Sequence, residues 1–366
     1  MKILLCFGTR PEAIKMAPVF HKLKDKGFEV KICVTAQHRE MLDQVLLFFE
    51  IKPDYDLNLM KSDQTLNGLS ASILEGIDSV LVAEKPDLIL VHGDTTTSSM
   101  VALAGFNRNI NVGHIEAGLR TYNKTAPFPE EINRQITSRL ADLHFTPTLQ
   151  ASQNLINEGV LKETIFQTGN TVIDALFWTL KKIEKPDFDF SEIKILKEKI
   201  DQNKKIILVT GHRRENFGTG FQNICEAILQ LAKREDVQIV YPVHLNPNVK
   251  KIVEEKLSRN KNILLVNPVS YPAFVWLMQQ SFLIMTDSGG IQEEAPSLGK
   301  PVIVTRTVSE RPEGVIAGYS KLVGHNQEMI IESVIDLIEN FKGFENIANP
   351  YGNGDASEQI VNALLK

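Results

Sequence analysis

Apolar residues along this chain fall into two alternating patterns. One is the short unbroken run: KILLCF (2–7), VKICVT (30–35), LILVH (88–92), VGHIE (112–116) and LHFTP (143–147). A second series follows it: IILVT (206–210), QIVYPV (238–243), ILLVN (263–267), FLIMT (282–286) and VIVTR (302–306). Between the runs, apolar positions recur at helical spacing. Runs this apolar predict strands buried on both faces, the environment of a parallel sheet covered by helices.

A polar interval, KKIEKPDFDFSEIKILKEKIDQNKK (181–205), separates the two series. Both series open alike, ILLCFGTRPE (3–12) and IILVTGHRRE (206–215): a strand, then Gly-x-Arg, then Glu two residues on. The pattern predicts an α/β chain of two Rossmann-like domains, 1–170 and 171–349, facing a central cleft. In open sheets of this kind ligands lie beyond the carboxyl ends of the strands, so the residues that follow strands are the candidates for chemistry.

A length of 366 residues leaves room for two cores. Hydrophobic content of 43% and charged content of 23% are ordinary for a soluble globular enzyme. Forty basic against 45 acidic residues give a net charge of -5. That balance argues against a nucleic-acid partner and requires any bound phosphate to meet locally concentrated positive charge. Cys6, Cys33 and Cys225 have no metal-like spacing. Cys6 and Cys33 sit in apolar runs, predicting buried free thiols in a reducing compartment. The run at 2–7 is cut by a turn and no small-residue cleavage site follows, so it reads as a first strand rather than a signal peptide. No stretch approaches ~18 uninterrupted apolar residues, so no spanning helix and no membrane partner are expected. The expected location is the cytoplasm.

Neither first loop carries G-x-G-x-x-G. SLGKPV contains Gly-Lys, but Pro301 stands where a P-loop needs Ser or Thr. No H-E-x-x-H or paired-Cys motif predicts a metal. The chemistry must then use side chains and the substrate itself.

Carboxylates follow the strands. Asp94 comes after LILVH and Glu116 ends VGHIE, so consecutive parallel strands would bring both to one sheet edge. Asp94 is open to a second reading, as the cap of a helix beginning near Thr96. Glu116, a charge at the end of an apolar strand, needs a partner or water; a salt bridge to Arg120 is its bland alternative. FPEEINRQITSRLADLHF (128–145) predicts a helix with Pro129 at its first position. Ile132, Ile136 and Leu140 form one stripe of it, with Glu130 and Arg134 opposite. Glu130 either complements the helix dipole, with Glu131, or is a third carboxylate at the site.

Cations balance these acids. Arg10 lies in the loop after the first strand, with Lys15 about one helical turn further. His212, Arg213 and Arg214 occupy the matching loop of the second half; His212 and His244 are equally readable as structural histidines. TDSGGIQEE (286–294) sets two glycines before two acids. Amides of Ser288, Gly289 and Gly290 at a helix start suit a phosphate, and a carboxylate further on suits a sugar diol. Pro296 should kink such a helix or keep it short. Phe274, in VSYPAFVWLM (269–278), packs either on a base or in the core.

Together FGTRPEAIKMAP, TAQHREMLDQV, VHGDTTT, GHIEAGLRT, PEEINRQ, TGNTVIDAL, TGHRREN, TDSGGIQEEAPSLGKPV and ERPEG cover essentially the whole chain. They resemble the non-hydrolysing UDP-N-acetylglucosamine 2-epimerases. The resemblance implies the GT-B arrangement of two Rossmann domains, with residues 350–366 returning to the first, and a homodimer that needs no metal or nicotinamide cofactor. It implies that Asp94, Glu116 and Glu130 are acid/base groups and His212 an essential histidine. Arg10, Lys15, Arg213 and Arg311 would lie at the substrate, and Ser288, Gly289, Gly290 and Glu294 would bind UDP, with Glu294 on the ribose. Some bacterial members bind UDP-GlcNAc at a second, activating site as well. Gln37, Gln64, Glu130, Arg213 and His244 match it, while Glu40 and Asp63 stand where certain members have Gln and Arg.

The implied chemistry fits the inventory. The C2 proton of UDP-GlcNAc has no neighbouring ring carbonyl, so elimination of UDP across C1–C2 to a 2-acetamidoglucal provides the route. A base takes the proton while Arg and amide groups stabilise the departing diphosphate. Re-addition after protonation on the other face gives UDP-ManNAc. A GT-B glycosyltransferase would share the fold without needing carboxylates on both faces of C2. A hydrolysing epimerase, a 2-epimerase for a UDP-2,3-diacetamido sugar and a nucleotide-sugar sensor are the other readings.

Overall fold

A computed structural model of the chain describes residues 1–35, 39–59, 64–211, 218–307, 311–344 and 348–366. Among the candidates, Gln37, Asp63, His212, Arg213 and Arg214 lie outside them. The chain divides into two compact units, Met1–Ala175 with Tyr351–Lys366, and Leu176–Pro350.

The first unit runs β1 (Lys2–Phe7), α1 (Arg10–Asp25), β2 (Glu29–Val34), α2 (Arg39–Phe48), β3 (Tyr55–Asp56), α3 (Leu66–Glu84), β4 (Leu88–His92), α4 (Thr96–Asn107) and β5 (Asn111–Ile115). It continues through α5 (Glu130–Leu140), β6 (Leu143–Thr146), α6 (Leu149–Asn157), β7 (Ile165–Gln167) and the start of α7 (Thr171–Ile183). The second has α8 (Ser191–Lys199), β8 (Lys205–Thr210), α9 (Thr219–Leu231), β9 (Val237–Pro242), α10 (Pro247–Leu257), β10 (Ile263–Val266) and α11 (Tyr271–Gln280). Then come β11 (Leu283–Thr286), α12 (Gly289–Ser297), β12 (Val302–Val304), α13 (Pro312–Ile316), β13 (Ser320–Leu322) and α14 (Gln327–Asn340), before α15 (Ala356–Leu364) rejoins the first unit.

The sheets are ordered β3-β2-β1-β4-β5-β6-β7 and β10-β9-β8-β11-β12-β13. Pairing is parallel, as between β1 and β4 and between β8 and β11. In each sheet the chain order reverses beside the first strand, between β1 and β4 and between β8 and β11. Those are the switch points at whose carboxyl ends α/β folds open a crevice. All ten predicted runs form strands. Edge strands β3, β7 and β13 are too short to show a periodicity.

Each unit has its own core. In the first, Leu4, Cys6, Ile89, Val91 and Val112 of the strands pack against Ile73, Ile77, Val80 and Leu81 of α3. Helix α3 has 19 residues and a mean hydropathy of 1.2, enough by those measures to cross a membrane. Polar residues interrupt its apolar positions, so a search for unbroken runs passes over it, and its apolar stripe lies in this core. In the second unit, Ile207, Val209, Ile239, Met285 and Ile303 meet Phe221, Ile228 and Leu231 of α9 and Val334 of α14. All three cysteines are buried and free. Helix α15 packs on α1, and its first-turn amides are capped by Asp174, which accepts from Ala356 N–H (3.1 Å) and Ser357 N–H (2.8 Å).

Candidate active site

The loops after β1 and β4 are fastened together by one acid. Glu12 closes a capping box with Thr9 at the start of α1. Its buried carboxylate accepts from Gly8 N–H (3.0 Å), Thr9 N–H (2.8 Å) and Thr95 Oγ1 (2.7 Å). Burial raises its pKa against the pull of these bonds. Arg10 is therefore the first residue of α1 rather than a loop residue, because Thr9 takes the cap position.

Asp94 is not the cap of α4. Thr95 is, accepting from Ser98 N–H through its hydroxyl. The Asp94 carboxylate instead pairs with Arg134, and its main-chain carbonyl accepts from Asn133 Nδ2 (3.0 Å). It stays 28% exposed. The surrounding protein nonetheless raises its pKa by desolvation, opposed by Arg134 and reinforced by Glu116 and Glu130. These carboxylates thus share one electrostatic site at the edge beyond β4 and β5.

Glu116 follows β5 with a left-handed backbone, φ 63°. A non-glycine residue held there costs on the order of 1 kcal/mol, strain that clusters at functional positions. Its carboxylate is 8% exposed and forms an ion pair with Lys15. The same oxygen, Oε2, accepts from Asn170 Nδ2 (2.9 Å) and lies 3.7 Å from His92 Nε2. The alternative partner is engaged elsewhere: Arg120 donates to Glu158 (2.8 and 2.9 Å) and to Ser138 Oγ (3.1 Å). Two residues on, Gly118 has φ 87°, and a Cβ there would lie 2.2 Å from the Ala151 carbonyl oxygen. Only glycine fits, which fixes the path of this loop.

Helix α5 buries its polar side. Glu131, Asn133, Arg134, Thr137 and Ser138 are buried, whereas Ile132 and Ile136 are each 38% exposed. The apolar stripe faces outward because the inner side serves a polar network: Glu131 accepts from Thr121 and Tyr122 N–H (3.0 Å each), and Asn133 accepts from Ser99 (3.2 Å). Pro129 stands at the N-cap rather than inside the first turn. Glu130, half-buried, opens the helix. Gln64, also half-buried, precedes Thr65, the cap of α3.

In the second unit α12 begins at Gly289, and its N-cap residue Ser288 makes no side-chain cap bond. The helix ends one residue after Pro296, so the proline sits in the last turn. A Cβ on Gly289 would lie 3.9 Å from the Arg311 guanidinium, and one on Gly290 3.9 Å from Glu294 Oε2. Arg311 forms an ion pair with buried Glu293. Glu294 accepts from the Tyr271 hydroxyl (2.9 Å). An amide terminus is thereby flanked by a cation on one side and an oriented carboxylate on the other. Phe274 is half-buried among fully buried neighbours on α11. His244 is exposed, and its Nδ1 accepts from Asn246 N–H (3.1 Å) within a turn. Among the described residues no group of His, Cys, Asp and Glu is disposed to hold a metal ion.

His92 and Asn170 join the carboxylates of the first unit, and Tyr271 joins Glu294 in the second, without having been singled out from the sequence; Arg134, placed on the polar face of α5 with Glu130, joins as the partner of Asp94. His92 ends an apolar strand, the same signal that marked Glu116. It is buried and neutral, its pKa lowered to about 4 by burial. Asn170 precedes an apolar helical segment, where an Asn reads as a cap. Nothing in the local sequence marks Tyr271.

The sequence model of the UDP-N-acetylglucosamine 2-epimerase family matches residues 21–365. The UDP-N-acetylglucosamine 2-epimerase of Escherichia coli K12 is 54% identical over 369 residues, covering 100% of this chain and 98% of that protein. The crystal structure of UDP-GlcNAc 2-epimerase from Neisseria meningitidis bound to UDP-GlcNAc superposes with a TM-score of 0.91 at 51% identity, covering 100% of both chains. The S. aureus MnaA–UDP structure gives 0.88 at 45% identity, covering 99% of this chain and 95% of that one.

Proposed function

The chain belongs to the UDP-N-acetylglucosamine 2-epimerase family, and from that premise we propose that it interconverts UDP-GlcNAc and UDP-ManNAc by reversible epimerisation at C2. The observation that carries the mechanism is the grouping of Asp94, Glu116 and Glu130 with Lys15 at the carboxyl edge of the first sheet. Moving a proton between the two faces of C2 takes at least two acid/base groups. Glu116, held by Lys15 and Asn170, is suited to accept the C2 proton. Asp94, with its raised pKa, is suited to carry one. Elimination leaves UDP and a 2-acetamidoglucal, and re-addition after protonation from the opposite side gives the epimer.

We assign nucleotide holding to the second unit. The Ser288, Gly289 and Gly290 amides and Arg311 meet the diphosphate, Glu294 the ribose diol, and Phe274 the base. Arg10 and Lys15 add positive charge against the leaving group, and family likeness assigns His212 and Arg213 to the same substrate. The acid/base and binding roles need no cofactor. A homodimer is part of this proposal, supported by the exposed Ile132 and Ile136 of α5, which line one surface hollow with exposed Tyr122. So is a cytoplasmic location, where UDP-sugars are at hand.

Incubation with UDP-GlcNAc in D2O, followed by proton NMR, tests the activity. UDP-ManNAc carrying deuterium at C2 is the expected product. Free ManNAc with UDP would overturn the proposal in favour of a hydrolysing reaction. An unchanged spectrum with UDP-GlcNAc but turnover of a 2,3-diacetamido analogue would overturn the substrate.

A further inference from the structure

We infer that Asn170 is a positioning residue for Glu116: its side-chain amide orients the carboxylate while capping α7, the helix through which the chain leaves the first unit. The inference rests on the acid/base reading of Glu116 given above.

Asn170 is 2% exposed. Its amide has one sensible orientation, because Oδ1 accepts from Val172 N–H (3.1 Å) at the first turn of α7. Nδ2 is therefore the end that faces Glu116 Oε2, at 2.9 Å. A flipped amide would set oxygen against carboxylate and leave the helix amide facing NH2. The backbone is held as firmly. Asn170 N–H donates to the Tyr351 carbonyl (2.8 Å), where the chain re-enters the unit, and its carbonyl accepts from Ile173 N–H (3.1 Å). The preceding Gly169 has φ 85°, and a Cβ there would lie 3.2 Å from the Tyr351 oxygen.

Contacts to Glu116 from three elements converge on Oε2: Lys15 from α1, His92 from β4, and Asn170 ahead of α7. Oε1 lies instead over Gly93, whose Cβ position is 3.8 Å away. Among the described residues, Asp94, backed by Arg134, and Glu130 also face this site. Lys15 supplies charge at the end of a flexible stem. Asn170 supplies direction from a buried, doubly anchored amide. Its hydrogen bond favours the ionised carboxylate and ties its aim to the first turn of α7.

Two variants test this. Asn170→Ser keeps a hydroxyl cap for α7 and removes Nδ2. Asn170→Asp keeps the capping oxygen and places a like charge against Glu116. Both are expected to lower kcat about ten-fold or more and to move the acidic limb of the kcat–pH profile upward by about one pH unit, Asp more than Ser. KM for UDP-GlcNAc should stay within about two-fold. Glu116→Gln is the reference, and Asn170→Ser added to it should cost nothing further. If Glu116→Gln is inactive while both Asn170 variants keep the wild-type pH profile, the inference falls and the role of Glu116 stands. A kcat loss in both with an unmoved limb and a lowered Tm would reduce Asn170 to a structural cap and equally overturn it. Wild-type turnover by Glu116→Gln would instead sink the underlying reading.

Discussion

Glu130 and Glu131 are adjacent on the first turn of α5 and face opposite environments. Glu131 is fully buried and accepts from two main-chain amides and Gln135, whereas Glu130 is half-buried and adds its negative potential to Asp94. Substitution by Gln should separate the two roles. Glu131→Gln turns an NH2 toward amide donors and is expected to cost about 2 kcal/mol of stability. Glu130→Gln should leave the melting temperature unchanged and slow C2 deuterium exchange roughly 100-fold. Melting curves and exchange rates that respond together in both variants would contradict this division.

Tyr271 and Glu294 make a similar pair in the second unit. The first turn of α11 that carries Tyr271 is itself held by Glu192, which accepts from Ser270 N–H at 3.2 Å. Tyr271→Phe removes the hydroxyl and with it this hydrogen bond to Glu294. With Glu294 on the ribose, KM for the UDP-sugar should rise roughly ten-fold with kcat little changed. Steady-state kinetics decide it; an unaltered KM means that Tyr271 does not orient the ligand carboxylate.

His114 gives a pH dependence of stability. Its Nε2 donates to the Gly93 carbonyl (2.7 Å), while the buried Nδ1 finds no partner among the described residues. Burial lowers its pKa to about 3. The unfolded chain, with a histidine near 6.5, therefore binds more protons than the folded one between those values. The contribution to stability is fully present above about pH 6.5 and is lost as pH falls toward 3. Between pH 7 and pH 5 this amounts to about 2 kcal/mol. His114→Gln keeps a donor for Gly93 and cannot titrate, so urea midpoints at the two pH values should differ less by about that amount. Equal pH sensitivity in both proteins would refute the assignment.

Ile136→Glu tests the proposed subunit surface. A charge in the exposed stripe of α5 should convert a dimer to a monomer in light scattering, with the circular dichroism spectrum unchanged. The stripe touches none of the buried polar network on the other side of the helix, so a dimer that survives would place the interface elsewhere.

Strands were legible because both their faces are apolar, and a run such as LILVH has no other use. Helix α5 shows where that logic stops. Periodicity tells which residues share a face, not which face turns inward, and here the inner face meets Asp94, Ser99 and the 121–122 loop rather than a core. Asp94 was legible as chemistry but ambiguous as a cap, since three threonines follow it and only the backbone shows that Thr95 takes that position. Tyr271 and Asn170 act through partners 23 and 54 residues away, separations that local pattern does not encode.

The return of α15 to the first unit sets an order of assembly at the ribosome. Residues 1–175 are made before residues 176–350, so the surface of α1 that α15 covers stays bare until α15 itself has been made. The second unit is one continuous stretch, Leu176–Pro350, and all its residues are available to fold before α15 exists. The unit that holds Glu116 is thus built from two stretches of chain with the whole of the other unit between them.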